Sequence, residues 1–466
     1  MAFRARRGVA LMRHLVVGKR LLAQVSAMLQ PTPRNPDRAA LLEALTELRG
    51  AGITSASSTQ EHQRMGTVSN QRASELPRRQ LWVAYVVGAF GLGLAHQANF
   101  LTPLRAHELG ASLQVIGLIV GAGSLVPAVT SVPLGRVIDR LGPRRSFIVS
   151  AAASTVVALL FVTVTNYWTL LVLQLVLGGV RTMGWLASQT YITSLGSPDD
   201  RAMLSGRFSF FTNVGTMVGP LMAGLVAQVV GFRLAFAWLA FYALVFAIIG
   251  TMLVETRAAD RSSQRKGEGA GFGVAVKLLG VRGMQVALLL TFVRLWNEFI
   301  WSSFFPVHLV DIGFEPGVVG TVVFMKGLVA TLLAPTVGYW IRFMSPQSLA
   351  ALGLGFGALG LVVSPHVTAL PWVYTASLLV GIGAGFSLPL LLAIIGDAVS
   401  SEQRGIALGL RMMVNQMAGG AAPVVVGPLI AALGVVLGFG SAGVFAGGLL
   451  IVARMLHASD RHVRTA

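Results

Sequence analysis

The chain has 466 residues, 54% of them hydrophobic and 12% charged, with a mean hydropathy of +0.72. So much apolar surface cannot be hidden in one soluble core, so composition excludes an ordinary globular domain and points to a chain dissolved in lipid. The formal net charge of +18 would suit nucleic acid, but in a membrane chain basic residues gather in cytoplasmic loops beside anionic headgroups; the absence of Cys excludes disulfides, thiolate metal sites and thiol nucleophiles.

Residues 1–80 read as a cytoplasmic N-terminal extension, largely disordered. Met1 to Leu29 is basic and amphipathic, Arg34 to Pro36 breaks it, and Leu41 to Leu48 can form a short helix. Arg without acids in the opening stretch resembles a transit peptide. An arm lying on anionic lipid, or an over-extended start ahead of Met65, fits the same composition.

From Leu81, apolar runs of about 20 residues, the length that crosses a bilayer as helix, follow one another. They lie at 82–104, 113–135, 146–165, 168–193, 207–230, 233–254, 284–306, 317–340, 347–364, 371–396, 405–430 and 436–456, and are numbered here as predicted spans 1 to 12. Span 1 carries His96 and Asn99, polar groups that can line a pathway or bridge two helices. His96 alone makes no metal site. "HELGA" at its end starts like a zinc-protease motif, but Ala111 stands where the second His belongs.

Between spans 2 and 3 the stretch "GRVIDRLGPRR" gathers charge between two uncharged runs. Gly135, Asp139, Arg140, Gly142, Arg144 and Arg145 fall in the spacing G-x-x-x-D-R-x-G-x-[RK]-[RK], which resembles the loop joining the second and third helices of the major facilitator superfamily. Pro143 stands where Arg or Lys is commoner. The resemblance covers residues 81 to about 456 and implies two bundles rocking about a midplane site. It further implies that Asp139 faces the start of span 11 near Gly405 and latches the bundles on the cytoplasmic side. Gly135 is expected to permit close helix packing.

Span 4 carries Arg181 and Gln189 as candidate pathway residues. Span 5 reads "GRFSFFTNVGTMVGPLMAG", with Gly206, Gly215, Gly219, Pro220 and Gly224 at spacings that resemble the fifth-helix signature of the family's antiporters; Ala223 replaces one Gly of that pattern. Small residues at these intervals let helices approach closely, and Pro220 is expected to bend the helix at the seam between the bundles. Glu255 to Gly283, rich in Gly, Ser, Arg and Lys, reads as a cytoplasmic linker.

In span 7, "RLWNEFIW" sets Arg294 and Glu298 at i and i+4, on one face, where they can neutralise each other. Glu298 is the acidic residue placed in mid-membrane. A carboxyl there can carry a proton and surrender it when a cation approaches, so it is the candidate proton-coupling group, with a permanent structural pair as the alternative. Asn297 and Trp301 are placed along the same cavity, and Lys326 in span 8 joins Arg181 and Arg294 in making it positive, which suits a carboxylate or phosphate. Near the turn between spans 10 and 11, Asp397 and Arg411 read as a gating or structural pair. "GFGALG" at 355–360 matches a dinucleotide loop in letters alone, since it lies inside span 9 with no strand before it.

An offset of 203 positions, that between Pro103 and Pro306, also aligns Gly117 with Gly320, Arg201 with Arg404, Pro220 with Pro423 and Gly231 with Gly434. The chain is therefore read as an all-α membrane protein of twelve transmembrane helices in two six-helix pseudo-repeats, 81–254 and 284–456, joined by 255–283 and followed by a cytoplasmic tail, 457–466. Arg falls in alternate connections, which places both termini in the cytoplasm, and the resemblance of the core to bacterial exporters of the superfamily implies a bacterial inner membrane. The expected function is a proton-coupled antiporter that exports a small amphipathic or anionic organic compound. Proton symport of an organic anion or phosphate ester is the alternative, and a carrier-like sensor or membrane enzyme is the alternative from another class. Expected partners are the small-molecule substrate, the proton and anionic lipid; no cofactor, metal or nucleic acid is expected, and the chain is expected to be a monomer.

Overall fold

The computed structural model describes residues 78–195, 201–255, 271–400 and 403–465. The extension up to residue 77 and linker residues 256–270 lie outside them. The described chain is helical throughout, because backbone amides in hydrocarbon must find partners within their own segment. The helices are α1 Arg78–Glu108, α2 Leu113–Leu141, α3 Pro143–Val162, α4 Tyr167–Ser194, α5 Arg201–Thr251, α6 Gly271–Leu279, α7 Arg282–Asp311, α8 Pro316–Leu333, α9 Val337–Trp340, α10 Pro346–Val363, α11 Leu370–Ala398 and α12 Arg404–Thr465. Among the described residues, nine helices are long and apolar enough to cross a membrane, or ten if Gly273–Leu279 and Arg282–Asp311, bent by 84°, count as one crossing. The protein is thus an all-α, multi-spanning membrane protein. Large apolar side chains such as Val229 (83% exposed) and Val129 (79%) face outward, as a lipid-facing surface requires.

Helix ends follow local chemistry. Ser112 caps α2 by accepting from Val115 N, and Asn166 caps α4 by accepting from Trp168 N. The α1–α2 turn runs through Gly110 at φ 80°, with Ala111 N donating to Ala106 O at 3.0 Å; the α7–α8 turn runs through Gly313 at φ 95°, with Phe314 N donating to Leu309 O at 2.9 Å. These two turns use one glycine-terminated motif, 203 positions apart. The long helices α5 and α12 break at Gly231 (φ 79°) and Gly434 (φ 82°), again a matched pair. The helical backbone of α5 runs through Pro220, and its break falls at Gly231.

Two other expectations change. Part of the expected linker is the apolar helix α6, and α12 continues as helix to Thr465, where a separate tail was expected. The stretch GFGVAVKLL has too few polar groups to stay in water, and nothing after Leu456 breaks the helix before the C-terminus.

Two antiparallel seams join α1–α5 to α7–α12, and small residues make both. On one, a Cβ built on Gly117 of α2 would strike Pro423 O of α12, and one on Gly427 would lie 2.8 Å from Leu113 O. On the other, a Cβ on Gly320 of α8 would lie 3.0 Å from Pro220 O of α5, and one on Gly224 would lie 2.5 Å from Pro316 O. Each contact of one seam is the other's, shifted by 203 positions.

The seams stop partway. Gly135, Gly206 and Gly409 stand 18 positions from Gly117, Gly224 and Gly427, which is five helical turns along the same face and about 27 Å away. Yet a Cβ at Gly135, Gly206, Gly338, Gly405 or Gly409 would meet no described atom within 4 Å. The close packing expected of Gly135 is therefore absent, because the helices have splayed apart at that end. Of the span 5 glycines, Gly215 and Gly219 pack against α1, at Ala89 O and Gly93 O, so Gly224 and the carbonyl of Pro220 carry the seam to α8.

These contacts make a paired prediction on one helix. Gly427→Val drives a branched side chain into Leu113 O and is expected to cost about 1–3 kcal/mol. Gly409→Val places the same side chain in open space and is expected to leave the melting temperature nearly unchanged. Thermal unfolding of both variants in detergent checks the contrast.

Candidate functional site

The candidate site lies where α1, α4, α7, α8, α11 and α12 bring their charged residues together. Helical spacing puts His96 and Asn99 on one side of α1, and Arg294 and Glu298 one turn apart on α7. Arg181 of α4 donates through Nη1 to Asn99 Oδ1 at 2.8 Å and to Ala95 O at 3.4 Å. His96 Nδ1 lies 3.0 Å from Leu92 O, one turn back, which holds the ring against its own helix. Arg181, Glu298 and Lys326 all act electrostatically on His96, so this α1 residue lies among charged groups of α4, α7 and α8.

Glu298 pairs with Lys326, whose Nζ lies 2.5 Å from Oε1. This corrects the expected Arg294–Glu298 neutralisation along one helix. Arg294 turns to α11 instead, donating from Nε to Ser387 Oγ at 3.0 Å, while Glu298 remains within its electrostatic reach. The i,i+4 spacing permits a pair but does not compel one, and a lysine arriving from α8 makes the shorter contact. Lys326, expected as an unpaired cation, is the ion-pair partner; its ammonium also stands 4.9 Å from the centre of the Trp301 ring, a cation–π contact.

Trp301 and Asn297 are both buried beside the ion pair. Trp301 is fully buried and its Nε1 donates to Ser364 Oγ at 3.1 Å. Asn297 is buried and donates from Nδ2 to Leu354 O at 3.4 Å, with Oδ1 finding no described partner. With Arg294 and Glu298, and with Gly357 and Gly383, it lines a narrow cleft. Gln189, two turns beyond Arg181 on α4, makes no described hydrogen bond to the cluster.

The expected Asp397–Arg411 pair does not form among the described residues. Asp397 is exposed, whereas Arg411 points its Nη2 at Met412 Sδ, 3.5 Å away, and leaves Nε buried without a described partner. Arg411 lies within electrostatic reach of Arg294 and so belongs with the central cations. The loop motif is likewise anchored locally. Arg144 donates to Thr251 O at 2.8 Å, Arg144 and Arg145 approach Glu255 at 3.5 and 3.4 Å, and Gly142 adopts φ 85° beside the same carboxylate. Asp139 and Arg140 are exposed.

Four residues at the closed end escaped the sequence reading. His107 Nε2 meets Asp311 Oδ1 at 2.6 Å, tying α1 to α7, and Gln228 donates to Glu315, tying α5 to α8. They sit at helix ends, where polar residues are ordinary and periodicity carries no signal.

Helices of bilayer length meeting around a largely buried ion pair define a multi-spanning membrane protein. The sequence matches the Major Facilitator Superfamily over residues 81–423, and the chain belongs to that family. Multidrug resistance protein MdtG of Proteus mirabilis is 30% identical over 167 residues, 35% of this chain and 40% of that protein, so the match spans less than half of that relative. Staphylopine export protein of Staphylococcus aureus is 24% identical over 335 residues, 67% of this chain and 79% of its own length. A crystal structure of the nucleoside transporter NupG has the same fold, with a TM-score of 0.67 over 81% of this chain and 99% of NupG at 14% identity.

Removing one member of a mostly buried ion pair strands the other charge. Glu298→Gln and Lys326→Met are each expected to lose about 3–5 kcal/mol, and the Glu298→Gln/Lys326→Met double variant to recover most of it. Thermal unfolding of the three variants gives the coupling energy.

Proposed function

We propose that the protein is a proton-coupled antiporter of a bacterial inner membrane that exports a small amphipathic or anionic organic compound by alternating access. The observation that carries this reading is the Glu298–Lys326 pair, which lies within electrostatic reach of His96 and thus acts across the junction of α1–α5 with α7–α12. A carboxylate held by one lysine is released when substrate competes for that lysine or when a proton replaces it. In this reading the breaks at Gly231 and Gly434 turn α5 and α12 back across the bilayer, giving twelve crossings in two six-helix halves, with both termini in the cytoplasm. The splayed end, bearing Arg144 and Arg145, then faces the cytoplasm, as positive loops favour. The closed seams near Gly117 and Gly320 seal the outside.

Return to the other state closes the inner end. Continuing each antiparallel register inward brings Gly135 towards Gly405 and Gly206 towards Ala334, with Asp139 latching there. Export is supported by the name of the staphylopine relative and by the span 5 glycine pattern. The surplus of cations around Glu298 favours a second reading, uptake of an organic anion together with a proton, since protonating Glu298 makes the site more positive and better for an anion.

Reconstitution in liposomes containing a pH dye, under an imposed pH gradient, decides among these. Antiport predicts that substrate and proton move in opposite directions; symport predicts the same direction. Either coupling is expected to vanish in Glu298→Gln, and unchanged coupling in that variant would remove Glu298 from the mechanism. Gly409→Val, expected to be neutral for stability, is expected to slow transport by obstructing closure of the inner end.

A further inference from the structure

We propose that the stretch Tyr339 to Met344, which joins α9 to α10, is a membrane-docking surface whose rings insert into the headgroup layer of an anionic bilayer, with Arg342 at the phosphates. Residues 338–344 are all exposed, and Tyr339, Trp340, Ile341, Phe343 and Met344 among them are large and apolar. Tyr339 is 57% exposed and Phe343 67%. The rings form one cluster: Tyr339 lies 5.6 Å from Trp340 and 5.2 Å from Phe343 between centres, and Trp340 meets Phe386 of α11 at 6.3 Å. Water is a poor solvent for so contiguous an apolar patch.

The internal repeat shows that the position in the fold does not require this surface. At the offset of 203 the stretch matches Arg136 to Leu141, in "GRVIDRL", with Tyr339 in place of Arg136 and Phe343 in place of Arg140. Arg144 and Arg145, which hold that first turn to Thr251 O and Glu255, are matched by Gln347 and Ser348, and Glu255 by Ala458. Both ends of the clamp are therefore lost in the second half. The isoleucine common to the two turns records the outcome, since Ile138 is 2% exposed and Ile341 45%. One turn is tied to protein; the other holds its apolar side chains outward.

Three observations say what covers them. Pro316–Trp340 is long and apolar enough to cross a bilayer, so Tyr339 and Trp340 fall at its end, where amphipathic rings collect in the headgroup layer. The patch continues the lipid-facing surface, with exposed Leu332 before it on α8 and exposed Leu388 near Phe386 on α11. Its one charge is the exposed Arg342, and no acidic residue occurs from Pro316 to Gly396, which suits the phosphates of anionic lipid. Docking through this turn and not its counterpart makes the two halves unequal towards the bilayer at the splayed end.

The test uses the full-length protein, which has no native cysteine, in nanodiscs of phosphatidylethanolamine and phosphatidylglycerol. Tyr339→Cys, Phe343→Cys, Arg136→Cys and Arg140→Cys each carry a nitroxide, and power saturation compares access of oxygen from lipid with access of a nickel chelate from water. The labels on the second-half turn are expected to favour oxygen, and those on the first-half turn nickel. Quenching of tryptophan fluorescence by brominated lipids, compared between the wild type and Trp340→Phe, reads the depth of Trp340 without a label and is expected to place it at the headgroups. Native mass spectrometry of Arg342→Gln is expected to show retention of phosphatidylglycerol over phosphatidylcholine falling about fivefold. Equal nickel access at both turns would overturn the proposal. So would second-half labels shielded from both reagents, the mark of a second copy or another protein on the patch. Unchanged lipid retention in Arg342→Gln would overturn the assignment of the anionic headgroup.

Discussion

A carboxylate inside hydrocarbon is tolerable only beside a cation, and the pairing of Glu298 with Lys326 is how this protein meets that constraint. The pair joins α7 to α8, and Trp301 supports it from behind through a cation–π contact while fixed by Ser364. Because the lysine takes the carboxylate, Arg294 is left to a serine on α11 and Arg181 to an asparagine on α1. One pairing thus determines which cations are left with neutral hydrogen-bond partners.

The second constraint is how α1–α5 meet α7–α12. The glycine seams set backbone against backbone, with little side-chain interlocking between them. Gly117 and Gly320 face the carbonyls of Pro423 and Pro220, and the same faces five turns along meet nothing. The polar links His107–Asp311 and Gln228–Glu315 sit at the closed end, where water is at hand to receive them on opening. Packing and polarity are therefore divided by depth: small residues within the seam, exchangeable hydrogen bonds at its rim.

The loop between α2 and α3 shows the same economy of position. Arg144 and Arg145 grip Glu255 and the end of α5, so the motif is held to its own bundle in the splayed conformation. Its glycine at 142 is required for a positive φ beside that carboxylate, a local reason for the residue that is independent of any latch to α12.

The sequence alone determined what depends on composition, run length and repetition. Apolar runs of bilayer length specify helices in lipid, the 203-residue offset reappears as matched turns at Gly110 and Gly313 and matched breaks at Gly231 and Gly434, and the residues named for the pathway include Glu298, Lys326, Arg294, Arg181 and Asn99 of the observed cluster. Partner choice was not legible. Spacing along one helix offered Arg294 to Glu298, and two residues flanking a turn offered Asp397 to Arg411, but periodicity reports only which face a residue shares with its own neighbours. Which lysine, serine or carbonyl arrives from another helix depends on that helix's rotation and depth, and these are set by the glycine contacts between helices. Only the tertiary structure decided that Lys326 holds Glu298, that Gly215 and Gly219 serve α1 while Gly224 serves α8, and that one end of the molecule is shut while the other stands open.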